Sequence, residues 1–294
     1  MFKQYWLIAC LIFLLPAVVT AAGRDGYIGA GHLKIHFTIQ GRGPAILFLH
    51  GGYLNLHSWD REASLLAPKY TIVRFDLPGH GQTTGMDTTL RIADVIKVLL
   101  DSLHLPKTSV VGLSLGGACA LDFAVAYPER VNKLVLVSAG LSGWRDVLQL
   151  DTLSQQLFEL SDSVFASKNH QLITETFTHI WCDGPFRKPS DVSPAVRMYI
   201  YQTVDSNDLR SSETWPVFDT HKVAKRLHAI TVPTLIFAGD KDVPLIVSEA
   251  NYMHSQIRHS QLRIIKGAAH MINLEQPLLF DHILSTFFAG KRPV

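Results

Sequence analysis

The chain has 294 residues and a formal charge of +2, and its charged fraction of 18% lies below that of an average soluble protein. Hydrophobic residues make up 47%, enough for one large domain with a proper core. No basic or acidic block occurs, which argues against a nucleic-acid-binding face and leaves a small-molecule partner as the expectation.

Residues 1–22 read as a targeting segment. Lys3 supplies a short positive start, Tyr5 to Val19 form an apolar run broken only by Pro16, and Val19-Thr20-Ala21 resembles a small-residue cleavage site. The expectation is export, periplasmic or secreted. The alternative is an uncleaved membrane anchor over residues 5–22. Beyond this segment only Cys119 and Cys182 remain, too few for a disulfide-built scaffold, and two separate buried thiols are expected.

From about residue 26, short β-rich runs alternate with amphipathic stretches. His32–Ile39 alternates as an edge strand would, and Ala45–Leu49, Thr71–Phe75, Ser109–Gly112, Lys133–Ser138, Thr234–Ala238 and Gln261–Ile265 are short, apolar and branched. Helices are expected over Thr88–His104, Gly116–Ala126, Leu245–Ile257 and Glu275–Phe288. Strands separated by helices indicate an α/β fold with a mostly parallel central sheet flanked on both faces. The alternation stops over 141–218, an aromatic-rich stretch without strands. It is expected to form a helical cap inserted after the sixth strand, between core segments 23–140 and 219–294.

Gly112-Leu113-Ser114-Leu115-Gly116 follows an apolar strand and precedes a helix. A serine on so sharp a turn needs very small residues two positions to either side, and the turn aims helical N–H groups at its hydroxyl. Serine needs a base to take its proton. Among fourteen histidines, His270 follows the last strand at the edge where open sheets bind ligands. His254, His259 and His282 belong to helical surfaces, and His50 and His80 to turns. Two carboxylates follow Thr234–Ala238. Asp240 sits where Asp makes a turn with its own backbone, whereas Asp242 lies further out and is the expected partner of His270.

With Ser114, Asp242 and His270 in this order, the chain resembles the α/β-hydrolase superfamily from about Gly26 onward. Further likenesses are Phe48-Leu49-His50-Gly51-Gly52, Asp76-Leu77-Pro78-Gly79-His80-Gly81, Trp181-Cys182-Asp183-Gly184-Pro185 and Asn273-Leu274-Glu275-Gln276-Pro277. The resemblance implies an oxyanion hole made by the backbone N–H groups of Gly52 and Leu115. Ser114 argues against members with an aspartate nucleophile. Leu113, Tyr53 and Met271 depart from carbon–carbon hydrolases, iminopeptidases and hydroxynitrile lyases respectively.

The function expected is hydrolysis of a small, apolar carboxylic ester or lactone through an acyl-enzyme. Alternatives are carbon–carbon bond hydrolysis and a ligand-binding role without turnover. Tyr53, Trp144 and Trp181 are candidate substrate contacts, although any single aromatic could merely bury the cap. No metal-ligand spacing occurs. The glycines over Gly26–Gly31 have no helix behind them, so no cofactor is expected.

Overall fold

The computed structural model describes residues 23–206, 216–218 and 223–290; the targeting segment expected over 1–22 lies outside them. Eight strands form one sheet: β1 (Arg24–Ala30), β2 (Leu33–Gly41), β3 (Ala45–Leu49), β4 (Thr71–Phe75), β5 (Thr108–Leu113), β6 (Val131–Val137), β7 (Thr234–Gly239) and β8 (Ser260–Ile265). Their order is β1-β2-β4-β3-β5-β6-β7-β8. The β1–β2 and β2–β4 pairs are antiparallel and every later pair is parallel.

Helices α1 (Asp60–Leu66), α2 (Ile92–Ser102) and α3 (Leu115–Ala126) follow β3, β4 and β5. Between β6 and β7 come α4 (Thr152–Ala166), α5 (His170–Phe177), α6 (Pro194–Ser206) and the short α7 (Val223–Arg226). Helix α8 (Pro244–Gln256) links β7 to β8, and α9 (Ile272–Glu275) and α10 (Pro277–Phe288) follow β8.

The central strands are largely apolar because both faces of the sheet are covered. On β3, Leu47 and Leu49 pack into the core shared with α2 and α3. Ile46 and Phe48 pack into the core shared with α1 and α10. Successive strand residues point to opposite faces, so one run of five serves both layers. Cys119 and Cys182 are both free and buried.

Three boundaries differ from the sequence reading. β2 is not the edge; β1 takes that place, its Gly26 and Gly29 having obscured the strand pattern. Helix α2 begins at Ile92, since the Asp87 carboxylate accepts the N–H groups of Thr89 and Leu90 and Arg91 is still extended. The last helix is divided by Pro277, which leaves Gln276 non-helical.

All parallel strands end at the same sheet edge, so the loops after β3, β5, β6, β7 and β8 gather there. Among the described residues, no helix is long and apolar enough to cross a membrane.

Within the α1 layer, Glu62 is buried, with the Asn273 side chain and its own backbone N–H facing the carboxyl group. Burial, reinforced by nearby Asp281, raises its pKa to about 8. The folded state therefore holds a proton that the unfolded chain releases near the usual carboxylate pKa. Its stabilising share is complete below the ordinary pKa and disappears as pH rises through about 8. Glu62→Gln is expected to flatten the fall in stability between mildly acidic and alkaline pH, by on the order of a few kcal/mol. Urea unfolding across that range measures it; an unchanged slope would refute the assignment.

Candidate active site

Ser114 lies between β5 and α3 with φ 53° and ψ −114°, a backbone conformation that side-chain-bearing residues rarely adopt. Backbone hydrogen bonds hold it there. Its N–H donates to the Val137 carbonyl at 2.9 Å, and its own carbonyl accepts from Ala118 and Gly140. A methyl group on Gly112 would run into the Gly116 carbonyl, and one on Gly116 into the carbonyls of Leu49 and His50. The small residues of the motif thus let β5, α3 and the loop after β3 touch backbone to backbone. Leu115 opens α3, so its N–H is free of intrahelical bonding.

His270 and Asp242 are both buried and directly bonded. Nδ1 of His270 stands 2.9 Å from Oδ2 and 3.1 Å from Oδ1 of Asp242. With the carboxylate accepting, Nδ1 carries the hydrogen, and in the neutral ring Nε2 is then the acceptor nitrogen. The Val243 N–H fixes the carboxylate at 2.8 Å. Asp240 does something else: it accepts the Gly267 N–H at 2.6 Å, tying the loop of the acid to the loop of the histidine. This is a cross-loop bond, not the local turn expected from the sequence.

Ser114 and His270 meet as walls of one cavity of about 1350 Å³. No hydrogen bond joins them, and serine–histidine contacts commonly tighten only when substrate is present. Gly51, Gly52, Tyr53, Leu115, Trp144 and Trp181 also line this space, so the structure gathers every site residue except Asp242 on its surface and holds Asp242 behind His270.

The loop after β3 is set by His50. Nε2 of His50 accepts the Leu77 N–H at 2.9 Å, so Nδ1 bears the hydrogen and donates to the Gly51 carbonyl at 2.7 Å. Burial lowers the pKa of His50, which favours the neutral ring this arrangement needs. The Gly51 carbonyl also accepts from Leu54, and the trans peptide turns the Gly52 N–H to the opposite side. The Asp76 motif supports this loop from below. Its carboxylate accepts from the N–H groups of Leu56 and Gln82 and pairs with His36.

The aromatics of the helical segment divide between two jobs. Trp144, Phe158, Phe165, Phe177 and Trp181 face the cavity, with the Trp181 ring 4.5 Å from that of His270. Tyr199 packs instead against the core shared with α1, and Tyr53 bridges the two parts by stacking on Phe165.

A junction absent from the sequence reading holds this segment to the histidine loop. Arg187 pairs with Glu275 and also donates to the carbonyls of Cys182, Asp183 and Gly267. Glu275 in turn accepts the Ala269 N–H, next to His270, at 3.0 Å. Both charged groups are nearly enclosed, and burial raises the pKa of Glu275 against the pull of Arg187. Gly184 lets the segment approach closely, since any side chain there would meet the Lys241 carbonyl. Glu275 was visible as part of a motif. Arg187 carried no signal, because its partner lies 88 positions away.

A family profile described as the alpha/beta hydrolase fold matches residues 44–277, most of the chain. The chain belongs to this family. As an α/β hydrolase it is 26% identical over 246 residues to 3-oxoadipate enol-lactonase 1 of Acinetobacter baylyi, covering 83% of this chain and 88% of the relative. It is also 26% identical to a 2-hydroxy-6-oxononadienedioate/2-hydroxy-6-oxononatrienedioate hydrolase of Comamonas testosteroni, covering 89% and 93%. An esterase from Exiguobacterium antarcticum superposes with a TM-score of 0.75 at 21% identity, covering 90% of this chain and all of the other. The family and these relatives mark the α/β hydrolase as a hydrolytic enzyme.

Two measurements test the supports. Arg187→Met leaves Glu275 buried without its partner and should destabilise the protein by about 3–5 kcal/mol in urea unfolding; a loss below about 1 kcal/mol would refute the clamp. His50→Ala removes the bond that orients the Gly51 carbonyl and should lower kcat on an aryl ester about tenfold or more, with KM little changed. An effect confined to KM would speak against that role.

Proposed function

We propose that the enzyme hydrolyses a small carboxylic ester or lactone, with Ser114, His270 and Asp242 as its catalytic triad. What supports the reading is the left-handed turn that presents Ser114 to the same cavity as a histidine whose Nδ1 is held by a buried aspartate. Oγ of Ser114 attacks the acyl carbon as its proton passes to Nε2 of His270. The N–H groups of Gly52 and Leu115 receive the resulting oxyanion. The imidazolium, steadied by Asp242, gives its proton to the leaving alcohol oxygen as that carbon–oxygen bond breaks. Water then attacks the acyl-enzyme, with His270 again taking a proton. The acid departs, and the proton returns to Ser114.

Residues 141–218 serve in this reading as a cap. Tyr53, Trp144 and Trp181 enclose an apolar substrate. The signal-like pattern of residues 1–22 supports export of the enzyme, with a membrane anchor over residues 5–22 as the second reading. The likeness to an enol-lactonase favours an ester-type bond, and Leu113 in place of asparagine is a departure from the carbon–carbon hydrolases.

Ser114→Ala is expected to abolish labelling by a fluorophosphonate and to lower aryl-ester turnover by several orders of magnitude. Retention of either the label or the rate would overturn the reading.

A further inference from the structure

The loop after β3 closes as a four-residue turn, in which the Gly51 carbonyl accepts the Leu54 N–H at 3.1 Å. Tyr53 is the third residue of that turn and has φ 57°. Turns with a positive φ at this position ordinarily place glycine there, and a bulky side chain rarely adopts it. Here the glycines stand at 51 and 52, and a tyrosine takes the place that favours glycine. A residue in so unfavourable a conformation persists only where its surroundings hold it, and such residues gather at functional sites.

The ring of Tyr53 is clasped by others. Phe165 of α4 stacks on it with centroids 5.3 Å apart and planes 19° from parallel, and Phe177 of α5 meets it edge-on at 5.4 Å. His80, from the turn after β4, approaches at 6.1 Å. Phe165 and Phe177 belong to the helical segment, whereas the Tyr53 backbone belongs to the loop beside Ser114. Stacked and edge-to-face aromatic pairs attract beyond the area they bury, so docking of α4 and α5 favours the left-handed turn. That turn brings the Leu54 N–H onto the Gly51 carbonyl, which also accepts Nδ1–H of His50 at 2.7 Å. Two donors thus fix one carbonyl, and through the planar trans peptide they fix the Gly52 N–H on its other side.

We infer that Tyr53 is a positioning residue for the oxyanion site: the helical segment, by clasping its ring, holds the turn that aims the Gly52 N–H at the developing charge. The inference rests on the ester-hydrolase reading and adds to it. A wall residue that only touches substrate serves ground state and transition state alike, and its loss appears in KM. A residue that aims an anion donor serves the transition state. Its loss appears in kcat and in the affinity for a transition-state analogue.

The test measures kcat and KM on a p-nitrophenyl ester, and Ki for a trifluoromethyl ketone of the same acyl chain. Oγ of Ser114 adds to the ketone carbonyl as its proton passes to His270, and the carbonyl oxygen takes the negative charge of the adduct. Wild type is compared with Tyr53→Leu, Tyr53→Phe, Phe165→Leu and the double variant Tyr53→Leu/Phe165→Leu. Tyr53→Leu should lower kcat about ten- to thirtyfold, raise Ki by a similar factor and change KM less than about threefold. Tyr53→Phe, which keeps the ring, should rescue kcat and Ki to within about threefold of wild type. Phe165→Leu leaves the loop sequence intact and should lower kcat and raise Ki together by about three- to tenfold. The double variant should fall no further than Tyr53→Leu alone, since both changes remove one contact. Losses confined to KM, or losses that add in the double variant, overturn the inference. If urea unfolding shows that Tyr53→Leu does not fold, Phe165→Leu decides by whether kcat and Ki move together. A wild type that neither turns over the ester nor takes a fluorophosphonate on Ser114 defeats the ester-hydrolase reading instead.

Discussion

Close backbone contact at Gly112 and Gly116 is the constraint on which the catalytic edge depends. Strand β5, helix α3 and the loop after β3 converge there with no side chain between them, and the left-handed geometry of Ser114 is what that convergence leaves. Such a conformation is unfavourable in isolation. It persists because its own N–H and carbonyl are engaged, with Val137, Ala118 and Gly140 fixing Ser114 from three directions. The same contact sets the Gly51–Gly52 peptide beside the serine, so the proposed nucleophile and candidate anion donors are placed by one packing decision.

Around this centre the protein uses chains of neutral and charged hydrogen bonds to hold loops that have no regular structure of their own. His50 orients one loop and Asp76 braces it, while Asp240 and Asp242 couple the loop after β7 to the loop after β8. His50, Asp76 and Asp242 are buried and Asp240 is partly exposed, and each is satisfied by a main-chain partner or by a second side chain. Glu62 and Glu249 are buried carboxyl groups whose pKa values burial raises.

Much of this was legible in the sequence because the signals were local. The parallel strands were bounded by turn residues, and the serine motif stated its own steric demand. His270 could be chosen from fourteen histidines because it alone followed the last strand in a small-residue loop. What escaped notice was either masked or distant. The edge strand β1 was obscured by its glycines. The start of α2 was set by a carboxylate bonding to the backbone ahead of it. Arg187 found its role only through folding, since nothing near it in the chain foretells a contact with Glu275.

Among the described residues the two thiols lie in different layers, and this makes them natural clocks for two kinds of opening. Cys119 is locked inside α3, within the core beneath the sheet, and only loss of the whole domain would bare it. Cys182 lies under the Arg187 junction, its thiol pushed up to about 12 by burial and its carbonyl held by the guanidinium. An alkylating reagent would therefore meet Cys182 whenever the helical segment lifts and Cys119 only when the protein unfolds. The ratio of the two modification rates would report how often the roof of the cavity swings free of its walls.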